Sequence, residues 1–233
     1  MHSNFINIPF TTNNLDRYFI RTSIFNAIKD YLPYFKGKLL DAGCGQMPYR
    51  GYILENSNVE KYVGLDIETA IEYNKEVKPD YTWDGKTMPF DNEIFDTILA
   101  TEVLEHCPNP NATLNEIYRV LSKNGHIFMT VPFLWNLHET PHDEYRYTPF
   151  ALNRLLNETG FKNIEIRAGG GWHASLAQMM GLWVRRSGLS HRKKKLLSII
   201  FKPIIKYLLK KDTPPKEFRE GQMITNLFIF ATK

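Results

Sequence analysis

The sequence predicts an α/β fold built on a Rossmann-like, mainly parallel sheet with helices on both faces. Two observations predict it. Short apolar strands alternate with helix-like segments from residue 38 to residue 167, and a glycine-rich turn directly follows the first strand. Such alternation builds βαβ units, which bury a parallel sheet between helical layers. The length of 233 residues and the hydrophobic fraction of 43% suit a globular chain with a sizeable core.

The predicted elements follow in order along the chain. Apolar residues recur at helical spacing over 15–35, within an N-terminal helical cap of residues 1–37. Strands are predicted at 38–42, 61–67, 80–83, 95–100, 126–131, 163–167 and 224–232, and helices at 113–121 and 149–159. Residues 172–222 break this rhythm. They are interpreted as a basic helical insertion within one domain, 1–233, because the last strand is expected to rejoin the sheet.

The first chemical signal is the run Asp41-Ala42-Gly43-Cys44-Gly45 after the first strand. Two glycines there allow a tight turn and a close approach of backbone to ligand. Asp66 ends the second strand, 25 residues after Asp41, and an acid at this distance can accept hydrogen bonds from both hydroxyls of a ribose. The alternatives are a purely structural turn for the glycines and a helix cap for Asp66.

Two further motifs follow at the expected rim of the sheet. Trp83-Asp84-Gly85 places an acid in a loop where an adenine amino group can donate to it. The run Thr101-Glu102-Val103-Leu104-Glu105-His106 follows the fourth strand. Because the carboxyl ends of parallel strands meet at one edge, both motifs are expected near the glycine turn.

Taken in order, these motifs resemble the signature of class I S-adenosylmethionine-dependent methyltransferases. Among them the chain is most similar to quinone-biosynthesis O-methyltransferases and to enzymes that modify saccharides and lipids, over about residues 39–161. The resemblance implies a seven-stranded sheet with an antiparallel last strand and S-adenosylmethionine as the methyl donor. It assigns the methionine part to the glycines, its ammonium to Asp41, the ribose to Asp66, the adenine to Asp84, and a backbone contact near the methionine to Thr101. The full set of donor residues is Asp41, Gly43, Gly45, Asp66, Ile67, Trp83, Asp84, Gly85 and Thr101.

The turn also distinguishes this donor from a dinucleotide. A pyrophosphate favours a third glycine at the start of the helix, but Met47 and Pro48 occupy that region. S-adenosylmethionine carries no phosphate and has a positive ammonium and sulfonium, so an acid beside the turn attracts it. The position of Asp41 therefore favours the methyl donor over NAD.

The acceptor is expected at the loop of residues 132–148, which is dense in histidines, acids and aromatics. A hydroxyl acceptor benefits from a general base, and the candidates are His142 and His138, then His106. The predicted function is methyl transfer to a small or lipid-linked hydroxyl compound, with saccharides among the candidates. The alternatives are a non-catalytic binding module and an N- or nucleic-acid methyltransferase.

Structural roles compete with the catalytic ones in this loop. Arg146 is expected to pair with Asp143 or Glu144, and Thr148 to cap the helix that starts at Pro149. No metal is expected, because a zinc set of His138, His142 and Asp143 lacks thiols. The two cysteines, Cys44 and Cys107, lack ligand spacing.

Residues 192–211 form a basic amphipathic segment. On a helical wheel Lys195, Ser198, Lys202 and Lys206 share one face, opposite Leu197, Ile200, Phe201, Ile204 and Leu208. Pro203 predicts a kink or the start of a second helix. The apolar arc is expected to form a lid, to pack against a second subunit in a homodimer, or to lie on an anionic membrane.

Compartment and partners follow from what the sequence lacks. It shows neither a secretory start nor an apolar run of bilayer length. The expectation is therefore a cytoplasmic protein, at the inner face of the membrane if residues 192–211 bind lipid. Nucleic acid is disfavoured as a partner, because the sequence lacks an Asn/Asp-Pro-Pro-Tyr/Phe motif for flipped bases.

Overall fold

A seven-stranded sheet organises the computed structural model, which describes residues 3–68 and 77–233. Its strands are β1 Lys36–Ala42, β2 Asn58–Ile67, β3 Tyr81–Trp83, β4 Phe95–Thr101, β5 Leu121–Pro132, β6 Lys162–Ala168 and β7 Asn226–Thr232. The strand order is β3-β2-β1-β4-β5-β7-β6. The first five strands pair in parallel and the sheet ends with antiparallel pairing at the last strand. The predicted fold class is confirmed.

The helices are α1 Ser3–Ile6, α2 Tyr18–Tyr31, α3 Arg50–Asn56, α4 Pro110–Val120, α5 Pro149–Thr159, α6 Trp172–Arg186 and α7 His191–Lys211. A short 3₁₀ turn, Leu32–Tyr34, follows α2. Helices α1 and α3 were not predicted. The prediction of a second helix at Pro203 is wrong, because α7 runs through that residue without interruption.

The ends of α4 and α5 follow from local chemistry. The side chains of Asn109 and Thr148 accept hydrogen bonds from the amides of Ala112 and Ala151, and a proline follows each cap. A capping side chain satisfies an amide that has no partner within the helix, and proline suits the first helical position. The predicted cap at Thr148 is confirmed. Helix α5 ends at Gly160, whose φ of 108° suits glycine.

The central strands are buried on both faces. Strand β4 is buried at five of its seven positions, and β5 is buried continuously from Ile127 to Pro132. Strand β1 lies between β2 and β4, so the carboxyl ends of these three strands share one edge. Parallel strands with both faces covered read as apolar runs. The edge they share carries the predicted donor residues.

The described residues form two compact units. The first, here called the sheet unit, comprises Ala27–Val131, His138–Ile166 and Phe228–Lys233. The second, the helical unit, comprises the described residues up to Asn26, Pro132–Leu137 and Arg167–Leu227. Every residue predicted for the donor and for the catalytic histidines lies in the sheet unit. The organisation of 1–233 as a single domain stays a prediction.

The helical unit has its own core and an ion pair whose acid, Asp16, is buried. Leu15, Ala177 and Ile205 are buried together. Asp16 accepts a 2.6 Å hydrogen bond from Nε of Arg186, and its carbonyl accepts one from the amide of Gln178. The N-terminal segment and the predicted insertion therefore fold against each other.

Helix α7 packs by a face that only partly coincides with the predicted apolar arc, since Phe201 and Leu208 of that arc pack against the buried core of the helical unit. Ser198, placed on the polar face of the wheel, is buried together with Ile205. Ile200 and Ile204, placed on the packing face, are 48% and 40% exposed. The wheel was wrong at these positions because the helix has apolar residues on two sides, and only one side meets the core of the helical unit.

No helix in the described ranges combines the length and the apolar character that crossing a bilayer requires.

Candidate functional site

The turn after β1 is held against β2 by its own backbone. The amides of Gly43 and Cys44 both donate to the carbonyl of Leu65, at 2.8 and 3.0 Å. Gly43 and Gly45 have φ values of 74° and 49°, in the left-handed region that glycine adopts without strain. A Cβ at Gly43 would lie 2.5 Å from Val103, whereas a Cβ at Gly45 would meet nothing within 4 Å. The Gly45 side of the turn is therefore open to a ligand.

Asp66 lies beside this turn, as the sequence predicted. One carboxylate oxygen accepts a 2.9 Å hydrogen bond from the amide of Gly45, and the other accepts one from its neighbour Ile67, also at 2.9 Å. Burial raises the pKa of Asp66, and these two amides oppose that rise. The carboxylate is thus fixed at the end of β2, next to the open side of the turn.

Asp41 lies beneath the turn and is buried. Its carboxylate accepts a 2.5 Å hydrogen bond from the Tyr62 hydroxyl. Burial raises the pKa of Asp41 to about 7; the Tyr62 hydrogen bond opposes the rise, and the nearby Asp66 adds to it. Tyr62 is a site residue that sequence reasoning missed, since nothing in the local sequence links it to Asp41.

Asp84 organises the loop after β3. One of its oxygens accepts hydrogen bonds from the amides of Lys86 and Thr87, at 2.9 and 3.1 Å. These bonds lower the pKa of Asp84, which is exposed. Trp83 before it is buried, and Gly85 after it has a φ of 79°. Asp84 and Gly85 form the exposed tip of a turn, and the two amide hydrogen bonds favour the ionised carboxylate.

The segment after β4 begins with a strained residue. Thr101 pairs with Thr130 on β5, and Glu102 then adopts a φ of 56°. The side-chain carboxylate of Glu102 accepts a 2.8 Å hydrogen bond from the Thr130 hydroxyl. Burial raises the pKa of Glu102 to about 7, opposed by that hydrogen bond and by Arg146. A non-glycine residue held at positive φ is uncommon and is often functional.

Two of the three predicted histidines come together at this edge. The rings of His106 and His138 pack edge to face, with centroids 4.7 Å apart. Nδ1 of His106 donates to the carbonyl of His142 at 2.8 Å. Its Nε2 lies 3.8 Å from Glu105 and 3.7 Å from Glu139. We call Glu105, His106 and His138 the rim cluster; their ligand atoms all lie within 4.8 Å of one another.

His138 is oriented by the predicted ion pair of the acceptor loop. Asp143 lies 3.3 Å from Nδ1 of His138 and accepts two hydrogen bonds from Arg146, at 2.6 and 2.9 Å. Burial would raise the pKa of Asp143, but Arg146 and the His138 amide lower it to about 2. The pairing of Arg146 with Asp143 is confirmed. Burial lowers the pKa of His138, opposed mainly by Asp143.

The structure does not bring the ring of His142 into the cluster. That side chain is exposed, and only its backbone carbonyl contacts His106. The zinc set weighed on the sequence, which paired His142 with His138 and Asp143, is therefore not assembled. In the place of His142 and Asp143, Glu105 lies next to His106 and His138. Glu139 is a further neighbour of the His106 ring. The signal for Glu105 was present in the motif after β4, where an acid stands among apolar residues.

Glu139 relates the loop that carries the histidines to the glycine turn. It lies at a φ of 50° in the acceptor loop. Burial raises its pKa, and the carboxylates of Asp66 and Asp143 raise it further. The loop that carries the histidines thus lies within electrostatic reach of the acid next to the glycine turn.

Known proteins resemble this chain in sequence and in fold. Residues 40–129 match the family model described as a methyltransferase domain. An uncharacterised protein, MJ1123, of Methanocaldococcus jannaschii is 29% identical over 63% of this chain and 74% of its own length. The tRNA U34 carboxymethyltransferase of Aliarcobacter butzleri is 28% identical over 62% and 53%. A phthiotriol/phenolphthiotriol dimycocerosates methyltransferase of Mycobacterium leprae is 30% identical over 39% and 36%. The chain thus spans about half or less of the two relatives that have a named activity.

Solved structures share the fold at low identity. Phosphoethanolamine N-methyltransferase 2 of Haemonchus contortus, solved with S-adenosylhomocysteine and with S-adenosyl-L-methionine, superposes with a TM-score of 0.57 at 15% identity. That match covers 100% of this chain and 59% of the worm enzyme in the S-adenosylhomocysteine complex. The [4+2]-cyclase SpnF superposes at 0.56 and 16% identity, over 91% of this chain and 80% of the cyclase. One fold therefore carries more than one reaction, and the reaction must be argued from the site.

Proposed function

We propose that this chain, a class I S-adenosylmethionine-dependent methyltransferase, binds S-adenosylmethionine at the turn after β1 and transfers its methyl group to a hydroxyl oxygen. The observation that carries the proposal is the pairing of Asp66 with the amide of Gly45. It sets a carboxylate next to an open, side-chain-free stretch of backbone. A ribose with two free hydroxyls fits that arrangement.

The charge of the site supports a cationic donor. Asp66 contacts the turn through the amide of Gly45, Asp41 lies near the end of the strand before it, and Glu139 lies within electrostatic reach of Asp66, so that carboxylates surround the turn. A dinucleotide pyrophosphate would be repelled there, whereas an ammonium and a sulfonium would be attracted. We assign Asp66 to the ribose hydroxyls and Asp41 to the ammonium. Asp84, which is ionised and at a loop tip, is assigned to the adenine amine.

A hydroxyl acceptor is favoured by the density of proton-accepting groups at the rim. Methyl transfer from a sulfonium needs little beyond positioning, but a hydroxyl must also lose its proton. His106 and His138 stand together with two glutamates beside them, and an amine acceptor would not need such a group. The mycobacterial relative, whose name gives phthiotriol and phenolphthiotriol dimycocerosates as what it methylates, supports a lipid acceptor. A small or lipid-linked hydroxyl compound, such as a saccharide, fits this proposal.

Calorimetric titration tests the donor site. S-adenosylmethionine and S-adenosylhomocysteine are expected to bind, and NAD is not. Asp66→Ala should weaken donor binding at least about tenfold, the loss of one or two charge-assisted hydrogen bonds. Asp66→Asn is the matched control: it keeps one hydrogen-bond acceptor and should give an intermediate affinity. Unchanged affinity in Asp66→Ala would remove this residue from the site.

We also propose that the helical unit contacts an anionic membrane surface. On α7 the residues Leu196, Ile199, Ile200, Ile204 and Tyr207 are exposed, and on α6 the exposed apolar residues are Trp172, Leu176, Met179 and Trp183. Both sets recur at helical spacing. We call the α7 set the exposed stripe. It lies on the side of α7 opposite the buried Ser198 and Ile205.

Charge decides which partner this surface fits. Residues 172–211 contain ten lysines and arginines and no acid. A second copy of the same surface would bring like charges together, whereas anionic lipid complements them. Exposed tryptophans suit the headgroup region. The surface would place the enzyme beside lipid-linked acceptors.

Vesicle co-sedimentation tests the membrane proposal. The protein is expected to bind phosphatidylglycerol vesicles at low salt, to bind phosphatidylcholine vesicles weakly, and to dissociate as salt rises. Ile200→Asp, in the middle of the exposed stripe, should reduce binding. Phe150→Asp serves as the control, since Phe150 is 68% exposed on α5 in the sheet unit. Absence of binding at low salt, or a dimer in solution that Ile200→Asp dissociates, would overturn the proposal.

A further inference from the structure

Glu105 is a buried acid whose carboxylate accepts no hydrogen bond from the part of the chain that the structure describes. The residue has no exposed surface. Its backbone is held firmly, because its carbonyl accepts from the amides of Glu144 and Tyr145 at 2.9 and 3.1 Å. A carboxylate buried in this way is strongly disfavoured unless a proton or a cation neutralises it.

Two histidine rings stand at the same place. Nε2 of His106 is 3.8 Å from the carboxylate of Glu105. Its Nδ1 already donates to the carbonyl of His142, so Nε2 carries the free lone pair. His138 completes the group, with the ligand atoms of all three residues within 4.8 Å of one another. The buried carboxylate thus lies beside two imidazoles, and the Arg146 guanidinium acts on it at longer range.

We propose that Glu105, His106 and His138 bind a divalent transition-metal ion, with Zn²⁺ as the best-matched ion. Two imidazole nitrogens and one carboxylate oxygen form a ligand set that zinc accepts, and three protein ligands leave its fourth position open. The surroundings also resemble a supported site. The carbonyl of His142 orients His106, and Asp143 lies 3.3 Å from Nδ1 of His138. A hydrogen bond such as the one from His106 fixes the tautomer and the orientation of a ligating histidine, whereas Nδ1 of His138 makes no hydrogen bond within the described ranges.

To bind zinc, the ligand atoms of Glu105, His106 and His138 would have to move closer together. Tetrahedral zinc with bonds of about 2.0–2.1 Å holds its ligand atoms about 3.3 Å apart. The pair of Glu105 and His106, at 3.8 Å, is already near that value. The cluster lies on the 3₁₀ turn Leu104–His106 and on the acceptor loop. The ligand atoms of all three residues lie within 4.8 Å of one another, so binding of the ion would draw His138 toward Glu105 and His106.

The ion would act on the acceptor, and this part of the inference rests on the proposed function. An acceptor hydroxyl that takes the open position loses its proton more easily, as metal-bound water does. The proton passes to solvent water. The resulting oxyanion attacks the methyl carbon, and the carbon–sulfur bond breaks with its electron pair going to sulfur. The donor leaves as a neutral thioether, so that atoms and charge balance.

Metal titration of the chelator-treated protein tests the site. We expect one Zn²⁺ per chain, and Co²⁺ in its place should give visible absorption bands typical of a four- or five-coordinate ion with nitrogen ligands. Removal of one contact that merely supports a ligand costs ten- to a hundredfold in affinity. Glu105→Gln and His106→Ala should therefore each cost at least about a hundredfold. His142→Ala is the matched control, because it removes an exposed imidazole from the same loop and keeps the carbonyl that orients His106.

The outcomes test the metal site and the proposed methyltransferase function separately. Failure of the wild-type protein to bind Zn²⁺ or Co²⁺ at micromolar concentration overturns the metal site, as does equal affinity in Glu105→Gln and wild type. If Glu105→Gln does not fold, the cobalt spectrum of the wild-type protein decides alone. Donor binding is measured on the same samples with and without chelator. Donor binding that persists without metal leaves the proposed function standing, whereas metal binding without donor binding contradicts the proposed function and retains the site.

Discussion

Asp41 shows how a buried acid can serve a cationic ligand. In the absence of the donor it is hydrogen-bonded to Tyr62, and burial raises its pKa to about 7. A group with such a pKa is largely protonated just below neutral pH. If the ammonium of the donor comes to lie beside it, the ionised form is favoured and the pKa falls. Donor binding must then release a proton.

Proton release can be measured directly. Calorimetry at about pH 6.5 in buffers of different ionisation enthalpy should show release of up to about one proton when S-adenosylhomocysteine binds. Methylthioadenosine, which lacks the ammonium, should release none, and Asp41→Asn should abolish the release. An equal proton count for both ligands would show that Asp41 does not face the ammonium.

For single residues, the sequence predicted which side chains belong to the site better than it predicted what those side chains contact. Asp66 was located from its distance to the glycine turn, because strand length and turn geometry are local properties. The partners of Asp41 and of Glu105 were not predictable. Tyr62 meets Asp41 across two paired strands, and Glu105 is buried by segments far away in sequence. Burial of a polar side chain depends on packing that no local pattern encodes.

Among the elements, the turn after β1 contains two glycines that serve different purposes, one for the fold of the turn and one for ligand approach. Both have positive φ, yet only Gly43 faces a neighbour that a side chain would strike. Gly43 is therefore needed for the fold of the turn. Gly45, with open space beside it, is assigned to the approach of the donor. Two substitutions of the same type separate these roles.

The two glycine variants are expected to behave differently. Gly43→Ala should lower the free energy of unfolding by about 2–5 kcal/mol, from left-handed strain and from overlap with Val103. Gly45→Ala should cost only the strain, about 1–2 kcal/mol, but should weaken donor binding because its methyl group occupies the open side. Urea unfolding and donor calorimetry check both. Equal stability loss, or full donor affinity in Gly45→Ala, would contradict these assignments.

Helices were predicted correctly where local sequence signals alone mark their ends. Helix α5 was predicted at its observed bounds, because a cap, a proline and a terminal glycine mark its ends. Helix α7 was predicted to exist, but its packing face was predicted only in part, with Phe201 and Leu208 on the core and Ile200 and Ile204 exposed. Its sequence offers two apolar sides, and the choice between them is made by Leu15 and Ala177, far away in the chain. Helix α3 was missed because it is short and follows the ligand turn directly.

At the scale of the whole molecule, the sheet was the predictable part. Right-handed connections between parallel strands leave few possible strand orders, and the antiparallel last strand came from the family resemblance. The grouping of the N-terminal segment with α6 and α7 was not foreseen. An amphipathic pattern predicts that a helix will pack by its apolar face, but it does not predict which other element that face will contact.

The central claim is that the acids around the glycine turn bind a phosphate-free, positively charged nucleoside. A crystal structure of the complex with S-adenosylhomocysteine tests it most directly. The account predicts both ribose hydroxyls within hydrogen-bond distance of the Asp66 carboxylate, with the amino-acid part passing Gly43 and Gly45. A ligand bound elsewhere, or a ribose without contact to Asp66, would contradict it.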